Sequence, residues 1–389
     1  MKLLRVKASN FKNCIDNYTI DFVAKSKKTA EDREYELQEI APNLFVYNTL
    51  TFIGKNASGK TSAIDLLDCA YSVLGGFRIE NKHYSYEGVE LELIFYHDGI
   101  IYFYATKLGT DKTENRAVFM NERILQKKYY KTNVKDIYNI NSFEKFSGGF
   151  LSIFQDNSMD FSMQDRRTWL PDDTSMLFFV LGKKATRALY FDSYESGTDT
   201  YRLTFNALKN YGIDSDILGR ILRIFDDNIK SLEMIDEINF KIRFKDEVKI
   251  LSDMQLIHML SSGTTKGILL FVLMVASLKN GFDLLVDEVE NHFHKTLVES
   301  MISLYKDKTV NRYNASLIFS THYCEVLDQM GRQDNIWICK SGTKVSLFNM
   351  YEDYQIRPEL LKSKQYYSNA FQTAVDYDAL MSLKRKLKK

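Results

Sequence analysis

The sequence Gly54-Lys55-Asn56-Ala57-Ser58-Gly59-Lys60-Thr61 has the spacing G-x-x-x-x-G-K-[ST]. Two apolar runs precede it, Leu44-Phe45-Val46 and Leu50-Thr51-Phe52-Ile53. The residues that follow place four apolar side chains on one helical face: Ile64, Leu67, Tyr71 and Leu74. A strand, a glycine loop and a helix in this order are the context of a phosphate-binding P-loop. A glycine-rich surface turn is therefore the less favoured interpretation.

Each residue type in this loop has a chemical role. Gly54 and Gly59 allow the backbone to curl, so that successive N–H groups point at phosphate oxygens. The N-terminus of the following helix adds its dipole to the same site. Lys60 would reach the β and γ phosphates, and the Thr61 hydroxyl would hold Mg²⁺. We therefore predict that ATP and Mg²⁺ bind to Gly54, Lys55, Asn56, Ala57, Ser58, Gly59, Lys60, Thr61 and Ser62.

Composition excludes several classes of protein. The chain has 389 residues, 45% of them hydrophobic, so a sizeable core is expected. A net charge of +1 gives no global field that would attract nucleic acid or a membrane. The longest apolar run, residues 268–276, is shorter than the ~18 residues that span a bilayer, and the N-terminus does not resemble a signal peptide. Widely spaced cysteines favour a reducing cytosol over a zinc site or disulfide framework: Cys14, Cys69, Cys324 and Cys339. We predict a cytoplasmic protein with no membrane partner.

Hydrophobic periodicity divides the first two thirds of the chain into strands and helices. Strands are predicted at residues 2–9 and 18–24, followed by a charged loop at 25–43. Asp98-Gly99 lies between two apolar runs in residues 89–106 and predicts a hairpin. The other predicted elements are helices at 172–182, 204–212 and 214–234, and strands at 238–244 and 248–251.

The remaining chain has the pattern of a second α/β half. Phe282-Asp283-Leu284-Leu285-Val286-Asp287-Glu288 predicts a buried strand that ends in two acids. Residues 295–306 predict a helix, and residues 316–322 predict another buried strand with a polar end. Alternating strands and helices indicate a parallel sheet with helices on both faces. Ligands of such sheets bind at the carboxyl ends of the strands, where these polar residues are expected.

Asp287, Glu288 and His322 are the predicted chemical groups at that edge. In a P-loop protein the first acid holds Mg²⁺, and the second can polarise the attacking water as a general base. A strand that simply runs into solvent is the alternative for the acids, and a structural histidine is the alternative for His322. The position of His322, one helix and one strand after the acids, favours a contact with the γ-phosphate.

Ser261-Ser262-Gly263-Thr264 precedes an apolar helix. Its N–H groups and hydroxyls could form an anion site. Taken alone, an N-cap with a flexible glycine is the simpler interpretation. The order of the motifs along the chain favours the interpretation as an anion site.

This order, from P-loop through a long insertion to a serine-glycine signature, an Asp-Glu strand and a histidine, resembles the ABC-type ATPase heads, including the SMC group. A closer resemblance is to AAA ATPases related to the OLD (overcoming lysogenization defect) and RloC-like proteins. Asn10-Phe11-Lys12 is similar to a motif of SMC-like heads. Four further segments resemble motifs of the OLD- and RloC-related proteins: residues 261–266, Glu290-Asn291-His292-Phe293-His294, residues 332–337 and residues 354–357. Thr264 and Lys295 depart from the usual motifs, and Gln155 is a weak candidate for the glutamine lid.

The resemblance implies an α/β fold of the ABC-type ATPase head, with a P-loop core, an antiparallel β subdomain and a helical insertion. It implies that Lys60 and Thr61 bind phosphates and Mg²⁺, Asp287 supports the metal, Glu288 is the hydrolytic base and His322 senses the γ-phosphate. It also implies that Ser261, Ser262, Gly263 and Thr264 act on the nucleotide of another copy, in a homodimer or higher homo-oligomer. The expected units are an N-terminal half at 1–80, a β-rich insertion at 81–200, a helical subdomain at 201–240, a C-terminal half at 241–350 and a tail at 351–389.

The leading hypothesis for function is a Mg-dependent ATPase that acts as a nucleotide-driven dimerisation switch. It would control a partner effector, a nuclease or toxin, in anti-phage defence of the abortive-infection type. The alternative is an ATP-gated clamp on DNA or RNA, for which Lys127, Lys128 and Lys131 interleave with Tyr129 and Tyr130, and the tail carries Lys384, Arg385, Lys386, Lys388 and Lys389. Solvated surface charge is the simpler interpretation of both patches. A nuclease in its own right is a third, weaker hypothesis, which rests on Asp156, Asp160 and Asp165.

Overall fold

The computed structural model describes residues 1–389 except 81, 83, 147–167, 183–187, 192–196, 237, 260–261, 292, 358–359, 372–376 and 388–389. Its strands, in chain order, are β1 (Lys2–Ser9), β2 (Tyr18–Asp21), β3 (Leu37–Ala41), β4 (Leu44–Tyr47), β5 (Thr49–Ile53), β6 (Glu90–His97), β7 (Ile100–Asp111), β8 (Arg116–Phe119), β9 (Arg123–Lys128), β10 (Glu144–Lys145), β11 (Ala188–Phe191), β12 (Ile229–Met234), β13 (Asn239–Phe244), β14 (Val248–Ser252), β15 (Asp283–Val286), β16 (Leu317–Thr321), β17 (Ile336–Ser341) and β18 (Val345–Asn349).

The α-helices of the described residues are α1 (Lys60–Gly76), α2 (Leu177–Leu181), α3 (Gly197–Asn210), α4 (Ser215–Phe225), α5 (Asp253–His258), α6 (Ser262–Asn280), α7 (Lys295–Lys306), α8 (Lys362–Tyr367) and α9 (Tyr377–Leu387). Short 3₁₀ segments occur at Val134–Asp136, Ile140–Ser142 and Cys324–Gln329, and a π-helical turn occurs at Asp32–Glu36.

A largely parallel sheet carries the P-loop. Its strand order is β11-β15-β16-β5-β17-β18, in which only the β17–β18 pair is antiparallel. Its central strands are buried along their whole length, as expected for a sheet covered on both faces. Side chains alternate between two cores: Leu285 and Ile318 pack with α1, whereas Leu284 and Phe319 pack with α6 and α7. The predicted α/β fold with helices on both faces is therefore confirmed.

An antiparallel sheet lies beside this core, with strand order β10-β9-β7-β6-β1-β2 and β8 paired to β7. The predicted hairpin is present, because Asp98 and Gly99 connect β6 to β7 with φ values of 47° and 82°. Positive φ at both central residues is the geometry that two-residue hairpin turns require. Because β1 pairs with β6, the N-terminal residues and the β-rich insertion share one sheet.

A third, smaller sheet, β12-β13-β14, packs on α4 in the region predicted as a helical subdomain. The helix predicted at 214–234 is wrong in its second half, because α4 ends at Phe225 and β12 begins at Ile229. The break follows from local chemistry: the Asp226 carboxylate accepts hydrogen bonds from the backbone N–H and side chain of Asn228, at 2.9 and 3.0 Å.

The loop predicted at 25–43 is also wrong in part. It contains the π-helical turn and β3, which forms a two-stranded ribbon with β4. Leu44–Tyr47 therefore belongs to this ribbon, and only Thr49–Ile53 leads into the P-loop. Within the described ranges, no helix is both long and apolar enough to cross a membrane. The apolar run at 268–276 lies in α6, where it is buried against the parallel sheet.

Candidate nucleotide-binding site

The loop between β5 and α1 has the tight geometry of a phosphate-binding turn. Gly59 precedes α1 with a φ of 94°, a conformation that glycine adopts without strain. A Cβ at Gly59 would lie 2.1 Å from Val345 Cγ1, and a Cβ at Gly54 would lie 2.3 Å from Ser58 Oγ. Close packing therefore requires glycine at both positions, and at Gly59 the backbone conformation requires it as well. Lys55, Asn56 and Ala57 form the exposed part of the loop, and Ser62 is half-buried in the first turn of α1.

Lys60 lies beneath the loop and is almost fully buried. Its Nζ donates to the carbonyl oxygens of Gly54 and Lys55, at 3.2 and 3.3 Å, and lies 3.3 Å from Nδ1 of His322. Burial lowers the pKa of Lys60, against the attraction of the neighbouring carboxylates. The two backbone carbonyls are neutral partners, so the ammonium is available to a phosphate.

Asp287 is held by two hydroxyl groups. Thr61 Oγ1 donates to one carboxylate oxygen at 2.8 Å, and Ser320 Oγ donates to the other at 2.5 Å. Burial raises the pKa of Asp287 despite these two hydrogen bonds, and the nearby charge of Glu288 acts in the same direction. A divalent cation would relieve this cost, because it favours the charged carboxylate. Hard oxygen donors such as the Thr61 hydroxyl and the Asp287 carboxylate are the ligands that Mg²⁺ prefers, so these residues fit the ion.

Glu288 follows Asp287 in a left-handed backbone conformation, with a φ of 48°. Such a φ is uncommon for a residue other than glycine and marks a constrained position. The backbone N–H of Glu288 donates to Ser320 Oγ at 2.7 Å, so a single hydroxyl fixes both acids. The Glu288 carboxylate accepts a 2.6 Å hydrogen bond from Asn291 and lies 3.7 Å from Nε2 of His322.

His322 thus lies between the lysine and the glutamate. Its Nδ1 faces the Lys60 ammonium, which can only donate, so the geometry assigns the acceptor role to Nδ1 and the proton to Nε2, on the side of Glu288. The backbone N–H of His322 donates to the Glu290 carboxylate. This carboxylate is mostly buried, and burial raises its pKa.

The structure brings together five of the residues predicted from the sequence: Lys60, Thr61, Asp287, Glu288 and His322. Gly263 and Thr264 are half-buried in the first turn of α6. Ser262 begins that helix, but its side chain is not described, and Ser261 lies outside the described residues. The possible glutamine lid, Gln155, and the acids at 156, 160 and 165 also lie outside them. Among the described residues, no group of three or more His, Cys, Asp or Glu could hold a metal ion by itself.

Sequence reasoning missed Ser320 and the role of Glu290. Ser320 is fully buried at the end of β16, next to the acidic strand β15 in a parallel pair that aligns Phe319 with Val286. That register places Ser320 beside Asp287. A polar residue near the end of an otherwise apolar strand was the available signal, because a buried hydroxyl needs a partner.

The basic-aromatic segment at 127–131 divides its side chains between the core and the surface. Tyr129 is buried, its hydroxyl donates to the Pro42 carbonyl at 2.7 Å, and Lys127 donates to Ser142 Oγ at 2.7 Å. Tyr130 alone of the two tyrosines is largely exposed, with Lys128 Nζ 5.5 Å from its ring centre. Most of this segment therefore holds the antiparallel sheet and its following turn together.

Asn10-Phe11-Lys12 lies next to α1. Phe11 is fully buried, and Lys12 Nζ donates to the Asp65 carboxylate of α1 at 2.5 Å. Arg332 and Asp334 form a buried ion pair with contacts of 2.6 and 2.8 Å. Asp334 also accepts hydrogen bonds from the backbone of Lys25 and Ser26. These motifs are therefore structural supports of the core and of the segment before β3.

A parallel sheet with a P-loop, a hydroxyl-bound acid and a second acid at its carboxyl edge defines a P-loop nucleotide-binding protein. Residues 50–328 match the family described as "AAA domain, putative AbiEii toxin, Type IV TA system", and the chain belongs to this family. Among solved structures, the chain is similar to the SMC head domain from Thermotoga maritima, with 12% identity, a TM-score of 0.43, and coverage of 90% of this chain and 99% of that one. No curated protein sequence matches the chain.

Proposed function

We propose that the protein binds ATP with Mg²⁺ and hydrolyses it to ADP and phosphate. The observation that carries this proposal is the convergence of Lys60, Thr61, Asp287, Glu288 and His322 around one glycine loop. Membership of the AAA family supports it, because that family consists of ATPase-type domains.

The side chains divide the work of phosphoryl transfer. Lys60 exchanges its carbonyl partners for the β and γ phosphates, whose charge it neutralises. Thr61 and Asp287 would hold Mg²⁺, which supplies further charge neutralisation when bound. Glu288 orients a water molecule and accepts its proton while the water oxygen bonds to the γ-phosphorus. The bond to the bridging oxygen breaks, and ADP leaves with the electron pair of that bond.

His322 is placed to report on the γ-phosphate. Its ring contacts Lys60 on one side and faces Glu288 on the other, so a phosphate bound to Lys60 would meet the ring directly. Glu290 holds the backbone of His322 and thereby its orientation. The N–H at Nε2 would donate a hydrogen bond to the γ-phosphate, and this hydrogen bond would be lost when the phosphate leaves.

The nucleotide state would drive association of two copies in the cytoplasm. In this proposal the segment Ser261–Thr264 of one copy completes the nucleotide site of the other, as the resemblance to the OLD- and RloC-related ATPases implies. Closure and opening would hold or release a partner effector in anti-phage defence. The family description, which names a toxin and a toxin–antitoxin system, supports an association with a toxin-type effector.

The dimer proposal is tested by turnover as a function of protein concentration. Turnover per chain should rise with concentration, and Ser261→Arg should abolish turnover while ATP binding persists. Ser303→Arg on α7 serves as a control for an added charge at an exposed serine. Full turnover by the monomer, or by Ser261→Arg, would contradict the proposal.

The effector proposal is tested by affinity capture from the native host. Glu288→Gln with ATP should trap the closed state and retain a partner that Lys60→Ala, which cannot bind ATP, does not retain. If both variants capture the same proteins, nucleotide-controlled binding of an effector is rejected. The ATPase itself can still be established by measuring turnover.

A further inference from the structure

A groove lined by basic side chains lies between the segment before β3 and the turn after β9. Its volume is about 850 Å³. We call it the basic groove and define it by Lys28 and Arg33 on one wall, Lys131 and Lys135 on the other, and Phe45 at its base. It lies away from the P-loop residues, and the function proposed above does not use it.

The charge of the basic groove is not balanced within it. Lys25 also lines the groove, which gives five cations in its lining. Among the described residues that line it there is no carboxylate. Lys25 is paired with Asp21 at 2.8 Å and with Glu352. Among the described residues, the other four, Lys28, Arg33, Lys131 and Lys135, form no ion pair.

Two of these cations lie near the same aromatic ring. The Lys28 ammonium and the Arg33 guanidinium lie 5.9 and 5.3 Å from the centre of the Phe45 ring. Burial lowers the pKa of Lys28, and the positive charges of Arg332 and Arg33 lower it further, against the attraction of the Asp334 carboxylate. A bound anion would relieve this repulsion, so the groove is an electrostatic site for negatively charged ligands.

We propose that the basic groove binds the phosphodiester backbone of a nucleic acid. Cations on both walls match phosphates that repeat along a strand. The apolar residues at its base are buried, among them Val23, Phe45 and Ile137, so the groove offers few apolar pockets of the kind that anchor an acidic peptide. Four of the five cations that line the groove are lysines, and contacts of lysine with phosphates carry no sequence information, so we expect binding that depends little on sequence.

This site differs from the patches that the sequence suggested. Of the segment at 127–131, only Lys131 lines the groove, whereas Lys127 and Tyr129 serve structural contacts. Lys28 and Arg33 come from a distant part of the chain. Only the fold brings them opposite Lys131 and Lys135.

The salt dependence of binding tests this inference with the full-length protein. Fluorescence anisotropy would measure the affinity for short labelled single-stranded DNA, duplex DNA and RNA of arbitrary sequence. Four phosphate contacts predict a slope of log K against log salt of about −3 to −4, or roughly a hundredfold loss of affinity between about 50 and 200 mM salt. The nucleic acid that loses the most affinity when the groove residues are substituted is the form that the groove binds.

Two triple variants separate the groove from overall charge. Lys28→Ala/Arg33→Ala/Lys131→Ala should lose at least about tenfold in affinity and reduce the slope by about three. Lys112→Ala/Lys230→Ala/Lys245→Ala removes the same charge from exposed positions outside the groove and should bind like the unmodified protein. The single variant Lys131→Ala should reduce the slope of log K against log salt by about one. This variant provides the test if the triple variant is unstable.

Three results would overturn the inference. Equal loss of affinity in both triple variants would show that net charge alone binds the probe. An unchanged slope in Lys131→Ala and in the groove triple variant would show that the groove makes no contact. Groove-dependent binding of polyglutamate without groove-dependent binding of nucleic acid would assign the site to an acidic protein partner.

Discussion

The carboxyl edge of the parallel sheet and the basic segment at 127–131 use polar residues in opposite ways. At the sheet edge, Thr61, Asp287 and Ser320 come from three distant parts of the chain and share hydrogen bonds of 2.5 to 2.8 Å. In the basic segment, Tyr129 and Tyr130 are neighbours in sequence, yet one is buried and the other is largely exposed. Residues at the ends of neighbouring strands therefore form a common site more reliably than residues that are adjacent in sequence.

The difference has a geometric cause. Parallel strands end at the same edge, so polar residues at the ends of β5, β15 and β16 must meet. In an extended chain, successive side chains point to opposite faces, so a run of basic and aromatic residues is divided between surface and core. Four predictions test this contrast, from the largest expected effect to the smallest.

Gly59→Ala should have the largest effect, because it would damage both the fold and the nucleotide site. The left-handed φ costs about 1–2 kcal/mol, and the overlap of the new Cβ with Val345 costs about a further 1–3 kcal/mol. ATP binding should be lost in a titration, and urea unfolding should show the lower stability. Gly76→Ala, whose Cβ meets nothing within 4 Å, is the matched control and should leave both unchanged. Normal ATP binding by Gly59→Ala would contradict the assigned loop geometry.

Tyr129→Ala and Tyr130→Ala test the division of the basic segment. Tyr129→Ala should cost about 3–5 kcal/mol of unfolding free energy, because it removes a buried ring that packs edge-on against Tyr96. Tyr130→Ala should change the unfolding free energy by less than about 0.5 kcal/mol. Chemical denaturation measures both, and equal effects would show that the two rings share one environment.

Ser320→Ala should cost about 1–3 kcal/mol of unfolding free energy, because it removes the hydrogen bonds that join this buried hydroxyl to Asp287 and to the backbone of Glu288. The rate of ATP turnover should also fall, since Asp287 and Glu288 lose their common support. Ser316→Ala, just before the same strand, loses only a 3.4 Å contact with Gln38 and is the control. Similar losses in both variants would refute a special role for Ser320.

Asp287→Asn should have the smallest effect on stability. Unlike the substitutions above, it should raise stability. Because burial raises the pKa of Asp287 above its ordinary value of 3.8, the native state binds this proton more tightly than the unfolded chain does. Wild-type stability therefore falls as pH rises above that value. The melting temperature of Asp287→Asn without nucleotide should exceed that of wild type at neutral pH, with no gain in strong acid.

Asp334→Asn is the opposite control for this pH dependence. Although burial opposes it, the Arg332 guanidinium lowers the pKa of Asp334 below its ordinary value. The charged form therefore stabilises the native state at neutral pH, and this stability is lost as pH falls through the lowered pKa. Asp334→Asn should melt at a lower temperature than wild type at neutral pH. Changes of the same sign in both variants would contradict the assigned environments.

The sequence was sufficient to predict the features that depend on backbone geometry. The P-loop, the acids at the end of β15 and the histidine after β16 all follow from strand ends and glycine spacing. The α/β class and the hairpin at Asp98-Gly99 follow from periodicity and turn chemistry.

Features that depend on tertiary packing were missed or misplaced. The turn at Asp226 and Asn228 divides a segment that the pattern predicts as a single helix, and β12 then pairs with β13, which lies further along the chain. The basic groove needs residues 28 and 33 to lie opposite residues 131 and 135, which no local pattern encodes. The hydroxyl of Ser320 gains its role only through the register between β15 and β16.

The most direct test of the proposed ATPase is the comparison of ATP binding and ATP turnover in wild type and Glu288→Gln. The amide retains the shape of the side chain and can still contact Asn291, but it cannot accept the proton of the attacking water. The mechanism predicts ATP affinity within a few-fold of wild type and turnover reduced by at least about a hundredfold. Turnover at the wild-type rate would contradict the assignment of Glu288 as the base and the proposed chemistry of this site.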